Sequence, residues 1–132
     1  TVAVNQGIVH LLHGGDLFGL PEAAAAGVEE PEVREAVLAA PRLASAEVRG
    51  GGFVIETLRA ALWAVTGAAS AEEAIVAAVN LGDDADTTGA VAGALAGAHW
   101  GAAALPARWL DLLQPRLELE QEAARLLTLS SA

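Results

Sequence analysis

Apolar positions recur along this chain at the three-to-four spacing of helices from end to end. Val4, Ile8 and Leu11 share one helical face, and Gly14-Gly15 stops that first segment. "PEAAAAGVEEPEVREAVLAAP" holds two short helical stretches, with Pro21 and Pro31 suited to the first helical position, where a missing N–H costs nothing. Arg49-Gly50-Gly51-Gly52 reads as the most flexible stretch of the chain. After it, Ile55, Leu58, Leu62 and Val65 mark a helix ending near Gly67; "FVIE" alone fits a strand, but the longer period decides. Ser70 with Glu73 is a capping box, which predicts a helix from there to about Leu81. An acidic loop follows, then a helix from about Thr87 to Gly101 that Asp84 or Asp86 can cap. Pro106 opens a short helix through Leu113, and Pro115 opens a last one ending near Leu127. The pattern predicts an all-α fold, one domain over residues 1–132, without a sheet or a solenoid repeat.

Composition sharpens this picture. A hydrophobic fraction of 54% and a mean hydropathy of +0.44 exclude disorder as a reading of the whole chain. Aromatics make up only 4%, so the core has to be built from Ala, Val and Leu. The net charge of −10, with Arg as the sole basic residue type, argues against nucleic acid or an anionic membrane surface as partner. The absence of Cys excludes disulfides and thiolate metal sites and fits a cytoplasmic setting. No basic stretch precedes an apolar one, so no signal peptide is read. A chain with no Met that opens on Thr1 is expected to be a segment of a longer product, or one with a processed N-terminus. An N-terminal Thr can serve as a nucleophile activated by its own amine, but no other residue supports that chemistry here.

The chemistry concentrates in "NLGDDADTTGAVAGALAGAHWG", Asn80 to Gly101. Asp83, Asp84 and Asp86 are like charges that repel one another, and they lead into the least polar segment of the chain. Two readings stand side by side. In one, the aspartates over-endow a helix N-terminus, whose dipole and free N–H groups favour negative charge. In the other, they are oxygen ligands for a hard divalent cation. An EF-hand loop is excluded: Asp84, Asp86, Thr88 and Gly89 match its first, third, fifth and sixth positions, but its twelfth falls on Leu95 instead of a bidentate Glu. In the segment that follows, Gly89, Gly93, Gly97 and Gly101 fall four apart. Each costs about 1 kcal/mol inside a helix, so the stripe predicts a neighbour approaching that backbone closely. Small-residue spacing of this kind also marks membrane dimer helices, but the stretch is short for a span and contains His99, so a buried helix of a water-soluble bundle is expected.

"NLGDDADTTGAVAGALAGAHWG…LPARW", preceded by "GGGFVIETLRAALW", resembles the ADP-ribosylglycohydrolase family, well over Gly51 to Leu113 and loosely before it. The resemblance implies an all-α, orthogonal multi-helix fold with two Mg²⁺ or Mn²⁺ ions at its active site. In the matching motif Asp84, Asp86 and Thr87 are the implied metal ligands. Asp83 stands where the family often has Gly and would add a carboxylate beside those ligands. The family's other ligands lie in a Thr-Asp-Asp motif far upstream, which these 132 residues lack. The chain therefore looks like the C-terminal half of a family member, with the general base expected in the upstream half, a partner of this one.

Gly50-Gly51-Gly52 precedes a helix, where backbone N–H groups can hold an anion without Lys. The resemblance makes Gly51, Gly52 and Phe53 candidates for binding ADP-ribose, with Phe53 commonly Tyr in relatives; the plainer reading is a hinge loop with a core Phe. His10 and His13 read as ordinary surface or core residues and His99 as a hydrogen-bonded core residue. Trp63, Trp100 and Trp109 read as packing anchors. Glu118, Glu120 and Glu122 read as a solvated helix face, with Arg125 within reach of Glu122. The function implied is metal-dependent hydrolysis of the glycosidic bond between ADP-ribose and an acceptor, on a modified protein or a small ADP-ribose conjugate. The alternatives are a non-catalytic cation or ADP-ribose binding module, a structural protein like the family's lens crystallin members, and an acidic helical interaction domain whose aspartates only cap.

Overall fold

A computed structural model describes residues 1–130, and among these the regular structure is entirely helical. The α-helices are α1 (Val2–Leu12), α2 (Leu20–Ala25), α3 (Pro31–Ala39), α4 (Val54–Thr66), α5 (Ala71–Val79), α6 (Ala85–Trp100), α7 (Ala107–Leu110) and α8 (Arg116–Ser130). Single 3₁₀ turns at Ala40–Arg42, Ser45–Glu47 and Ala102–Ala104 were not legible from periodicity, being too short to carry a period. Pro31 occupies the first position of α3, whereas Pro21 is second in α2, one place later than expected. The Ser70 hydroxyl accepts from the Glu73 amide at 3.2 Å, as a capping box requires. Glu73 returns its carboxylate to the amide of Ala69, one residue before the cap.

α6 is the central element, packing on α5, α4 and α1; α1 lies on α2, and α4 also contacts α3 and α5. Leu20, Val37, Leu62, Val65 and Leu95 are the large fully buried side chains, set among alanines such as Ala61, Ala74, Ala78, Ala92 and Ala96. A core of Ala and Leu with few aromatics works only if helices come close together, which the small side chains allow. This shifts the expected face of α1. Its buried residues are Ala3, Gly7 and Leu11, while Val4 and Ile8 are half-buried beside them. A Cβ on Gly7 would lie 3.0 Å from Leu20 Cδ1 and 3.2 Å from Leu95 Cδ2, so neighbouring side chains fill the space a larger residue would need.

The glycine stripe of α6 behaves differently from the expectation. A Cβ on Gly89 would stand 2.8 Å from Val79 Cγ2, so close approach is real there. At Gly93 the nearest atom would be 3.9 Å away, and at Gly97 nothing lies within 4 Å. Gly101 lies outside the helix, at φ +80, and ends it. The buried face of α6 is Thr88, Ala92, Leu95 and Ala96, and the glycines flank it half-buried.

His10 and His13 donate ring N–H groups to the carbonyls of Asp16 and Val9 at 2.9 and 2.8 Å. His99 is half-buried and edge-on to Trp100, with ring centroids 4.7 Å apart, and no hydrogen bond holds it among the described residues. Trp63 and Trp100 pack on the core, while Arg108 stacks over Trp109 and pairs with Glu72. On α8 every described side chain through Leu129 is exposed, and Arg116–Glu120 and Arg125–Glu122 pairs run along its surface at 2.7 Å. Among the described residues, no helix is long and apolar enough to cross a membrane.

Candidate functional site

The acidic loop is shaped before its side chains are considered. Gly82 at φ +77 and Asp83 at φ +50 turn the chain sharply between α5 and α6. Asp tolerates this left-handed conformation better than most residues, and glycine better still. The turn leaves the Asp83 side chain exposed and puts Asp84 at the N-cap of α6.

Asp84 holds the cap position without capping by its side chain. Its carboxylate oxygen Oδ1 instead accepts from the Thr87 hydroxyl at 2.8 Å. Asp86, in the first turn, lies within hydrogen-bonding reach of Asp84. The Asp84 carboxyl beside it, then the amides of Thr87 and of Asp86 itself, holds the Asp86 carboxyl below the usual carboxylate value. Asp84, Asp86 and Thr87 thus form one cluster of oxygen donors, with Asp86 and Thr87 exposed and Asp84 half-buried. This is donor chemistry for Mg²⁺ or Mn²⁺, which bind through one or two carboxylates while keeping several waters. Among the described residues no three His, Asp or Glu side chains come together as a metal cage.

The glycine loop lies against this cluster. The Asp84 amide donates to the Gly50 carbonyl at 2.9 Å. A Cβ on Gly52 would be 3.3 Å from Asp84 Oδ2. None of Gly50, Gly51 and Gly52 has a positive φ, so the loop needs glycine for space, not for conformation. Gly50 is buried and bonded, which replaces the expected free hinge with a fastened loop. Among the described residues the amides of Gly51, Gly52 and Phe53 meet no acceptor, which leaves a row of N–H donors entering α4. Phe53 is 60% exposed at the N-cap of α4, so it is not a core residue.

Gly52 and Thr87 line one cavity of about 390 Å³, together with Thr1, Val4, Asn5, Val54, Thr57, Leu58 and Val91. The structure therefore brings Gly52 and Thr87 to one cavity, while Phe53, Asp84 and Asp86 lie outside its lining and Asp83 is exposed. Thr57 and Asn5 also line this cavity, neither of them part of a motif. Thr57 had one visible signal, a hydroxyl within the otherwise apolar core face of α4.

The family model described as ADP-ribosylglycohydrolase matches residues 1–132. The ADP-ribosylarginine hydrolase Tri1 of Serratia proteamaculans (strain 568) is 44% identical over 80 residues, 61% of this chain and 22% of that protein. The ADP-ribosyl-dinitrogen reductase glycohydrolase of Rhodospirillum rubrum is 35% identical over 72 residues, 54% of this chain and 24% of that protein. Among solved structures, an ADP-ribosylglycohydrolase-related protein complex superposes with a TM-score of 0.77 at 37% identity, covering 90% of this chain and 42% of that one. The chain thus matches about a quarter or less of these two relatives' length and under half of the solved chain.

Proposed function

This chain belongs to the ADP-ribosylglycohydrolase family, and from that membership we propose that it provides the ADP-ribose loop and part of the metal site of an enzyme that removes ADP-ribose from an acceptor side chain. The observation that carries the reading is the union of two loops. The Gly50 carbonyl and the Asp84 amide are bonded, and Gly52 and Thr87 face one cavity. A pyrophosphate against the free amides of Gly51 and Gly52 would place the adjoining ribose toward Asp84, Asp86 and Thr87.

Each residue then has a distinct task. The unpaired N–H groups at the start of α4 neutralise phosphate charge without Lys, which suits a chain of net charge −10. Phe53 offers an exposed ring face for stacking, without the hydroxyl a Tyr would bring. Asp84, Asp86 and Thr87 hold Mg²⁺ or Mn²⁺, and Asp83 adds negative charge at the rim. The metal, when bound, supplies positive charge that favours binding of ribose hydroxyls and activation of water. The remaining ligands and the general base are assigned to an upstream half that completes the domain, and the substrate to an ADP-ribosylated protein or a small ADP-ribose conjugate.

The test is release of free ADP-ribose from an ADP-ribosylated arginine peptide by the full-length protein carrying these residues, with Mn²⁺ or Mg²⁺ present. Release that depends on the metal and is lost in Asp84→Ala and Asp86→Ala is expected. ADP-ribose binding without any release would instead leave this chain part of a binding module.

A further inference from the structure

Two buried polar side chains occur among the described residues, Thr57 and Thr88. Thr57 is 6% exposed, and its hydroxyl lies within reach of two carbonyls, Gly51 at 3.1 Å and Phe53 at 3.4 Å. The Phe53 contact is the usual return of a helical Thr to the preceding turn. The Gly51 contact leaves the helix and fastens the glycine loop. One residue earlier, the Gly50 carbonyl takes the Asp84 amide at 2.9 Å, and Asp84 in turn accepts from Thr87. No other backbone hydrogen bond within the described residues involves Gly50, Gly51 or Gly52. The loop therefore has a fastening on each side, α4 through Thr57 and α6 through Asp84.

We propose that Thr57 is a positioning residue: its hydroxyl holds the Gly50–Gly52 loop in register with Asp84, so that the loop facing the nucleotide and the loop facing the metal respond as one unit. The identity of the two ligands rests on the function proposed above; the fastening itself does not. If the Thr57 bond is missing, the Gly51 carbonyl loses its partner inside the fold and the loop gains freedom. Binding at either loop must then restore order before the other benefits. With Thr57 in place, order imposed by one ligand is already present for the second, and the two affinities rise together by a common factor.

The first experiment needs no ligand. Amide hydrogen exchange is followed at Asp84 in the ligand-free full-length protein, with the Glu73 amide, capped by Ser70 away from the loop, as internal control. Thr57→Val, which keeps the shape and removes the donor, is expected to speed exchange at Asp84 by about tenfold, the scale of one lost hydrogen bond, and leave Glu73 unchanged. Thr57→Ser is expected to restore the wild-type rate. Thr57→Ala gives the same comparison should the Val variant fail to fold. Unchanged exchange at Asp84 in Thr57→Val or Thr57→Ala overturns the proposal, and so does a Ser variant that behaves like Val.

The second experiment measures ADP-ribose dissociation constants for the full-length protein with and without Mn²⁺. The wild type and Thr57→Ser are expected to bind ADP-ribose more tightly with Mn²⁺. In Thr57→Val that ratio is expected to fall toward one while affinity for Mn²⁺ alone stays within about threefold. A ratio undiminished in Thr57→Val overturns the joint response. A wild type that binds neither ligand refutes the proposed function and the joint response together, and the exchange experiment still decides whether Thr57 fastens the loop.

Discussion

A methyl group on Gly50 would stand 2.5 Å from the carbonyl oxygen of Gly82, closer than side-chain carbon and backbone oxygen approach in folded proteins. The obstacle is backbone, fixed by the turn into α6, so it cannot swing aside. Gly50→Ala should therefore force the two loops apart and cost about 1–3 kcal/mol, the range for overpacked sites. Gly51→Ala is the control. Its new methyl would meet only the carboxylate end of Glu56, which can rotate away. Chemical denaturation of both variants reads the difference, and equal losses would mean that the contact with Gly82 is not what demands glycine at position 50.

The helices were legible because their cause is local. Ser70 and Glu73 announce a start, Pro31 another, and the spacing of Leu58, Leu62 and Val65 places the buried face of α4. What stayed illegible depends on distances between segments far apart in the chain. The glycines at 89, 93 and 97 look alike in sequence, yet only Gly89 has a neighbour pressing on it, because Val79 happens to end α5 at that level. Asp84 was readable as a cap by position, whereas its side chain turns to Thr87. The Gly50–Asp84 bond joins residues from opposite ends of the α4–α5 pair, and no periodicity encodes it. His99 next to Trp100 shows the same limit: neighbours in sequence, paired by ring geometry instead of a hydrogen bond.

Thr88 is wholly buried, and its hydroxyl has no hydrogen-bond partner among the described residues. A buried hydroxyl left unpaired costs about 1–3 kcal/mol of desolvation, which Val of nearly the same shape would not incur. Thr88→Val should stabilise the ligand-free protein, raising its melting temperature by several degrees. A fall in melting temperature would show that the hydroxyl has a partner in solution, such as an ordered water.

Caps can be separated from positions that merely look like caps. Ser70→Ala removes a real bond to the Glu73 amide and should cost about 1 kcal/mol. Asp84→Ala removes no cap bond, only the bond from the exposed Thr87 hydroxyl, and relieves repulsion with Asp83, so the ligand-free protein should lose less. Matched urea titrations would reveal the order, and a larger loss at Asp84 would return it to the role of a cap.

Replacing Asp84 or Asp86 by Asn tests the metal assignment most directly. At position 84 Asn keeps an oxygen that can accept from the Thr87 hydroxyl and suits an N-cap about as well as Asp, and at position 86 the side chain is exposed, so the ligand-free fold should persist. Only the charge is lost. If the cluster binds Mn²⁺ or Mg²⁺, the wild type gains stability by mass action, roughly 2.7 kcal/mol at a hundredfold excess over the dissociation constant. Asp84→Asn and Asp86→Asn should each forfeit most of that gain while keeping their helical circular dichroism. The measurement belongs in the full-length protein, since two carboxylates and one hydroxyl leave half the positions around an octahedral ion to other ligands. Ligand-free melting temperatures should stay level or rise slightly, because one like charge has left the loop. If the metal raises the melting temperature of wild type and both variants equally, the aspartates are not ligands. The acidic loop would then be a solvated helix start, and the ion's charge would have to be held elsewhere.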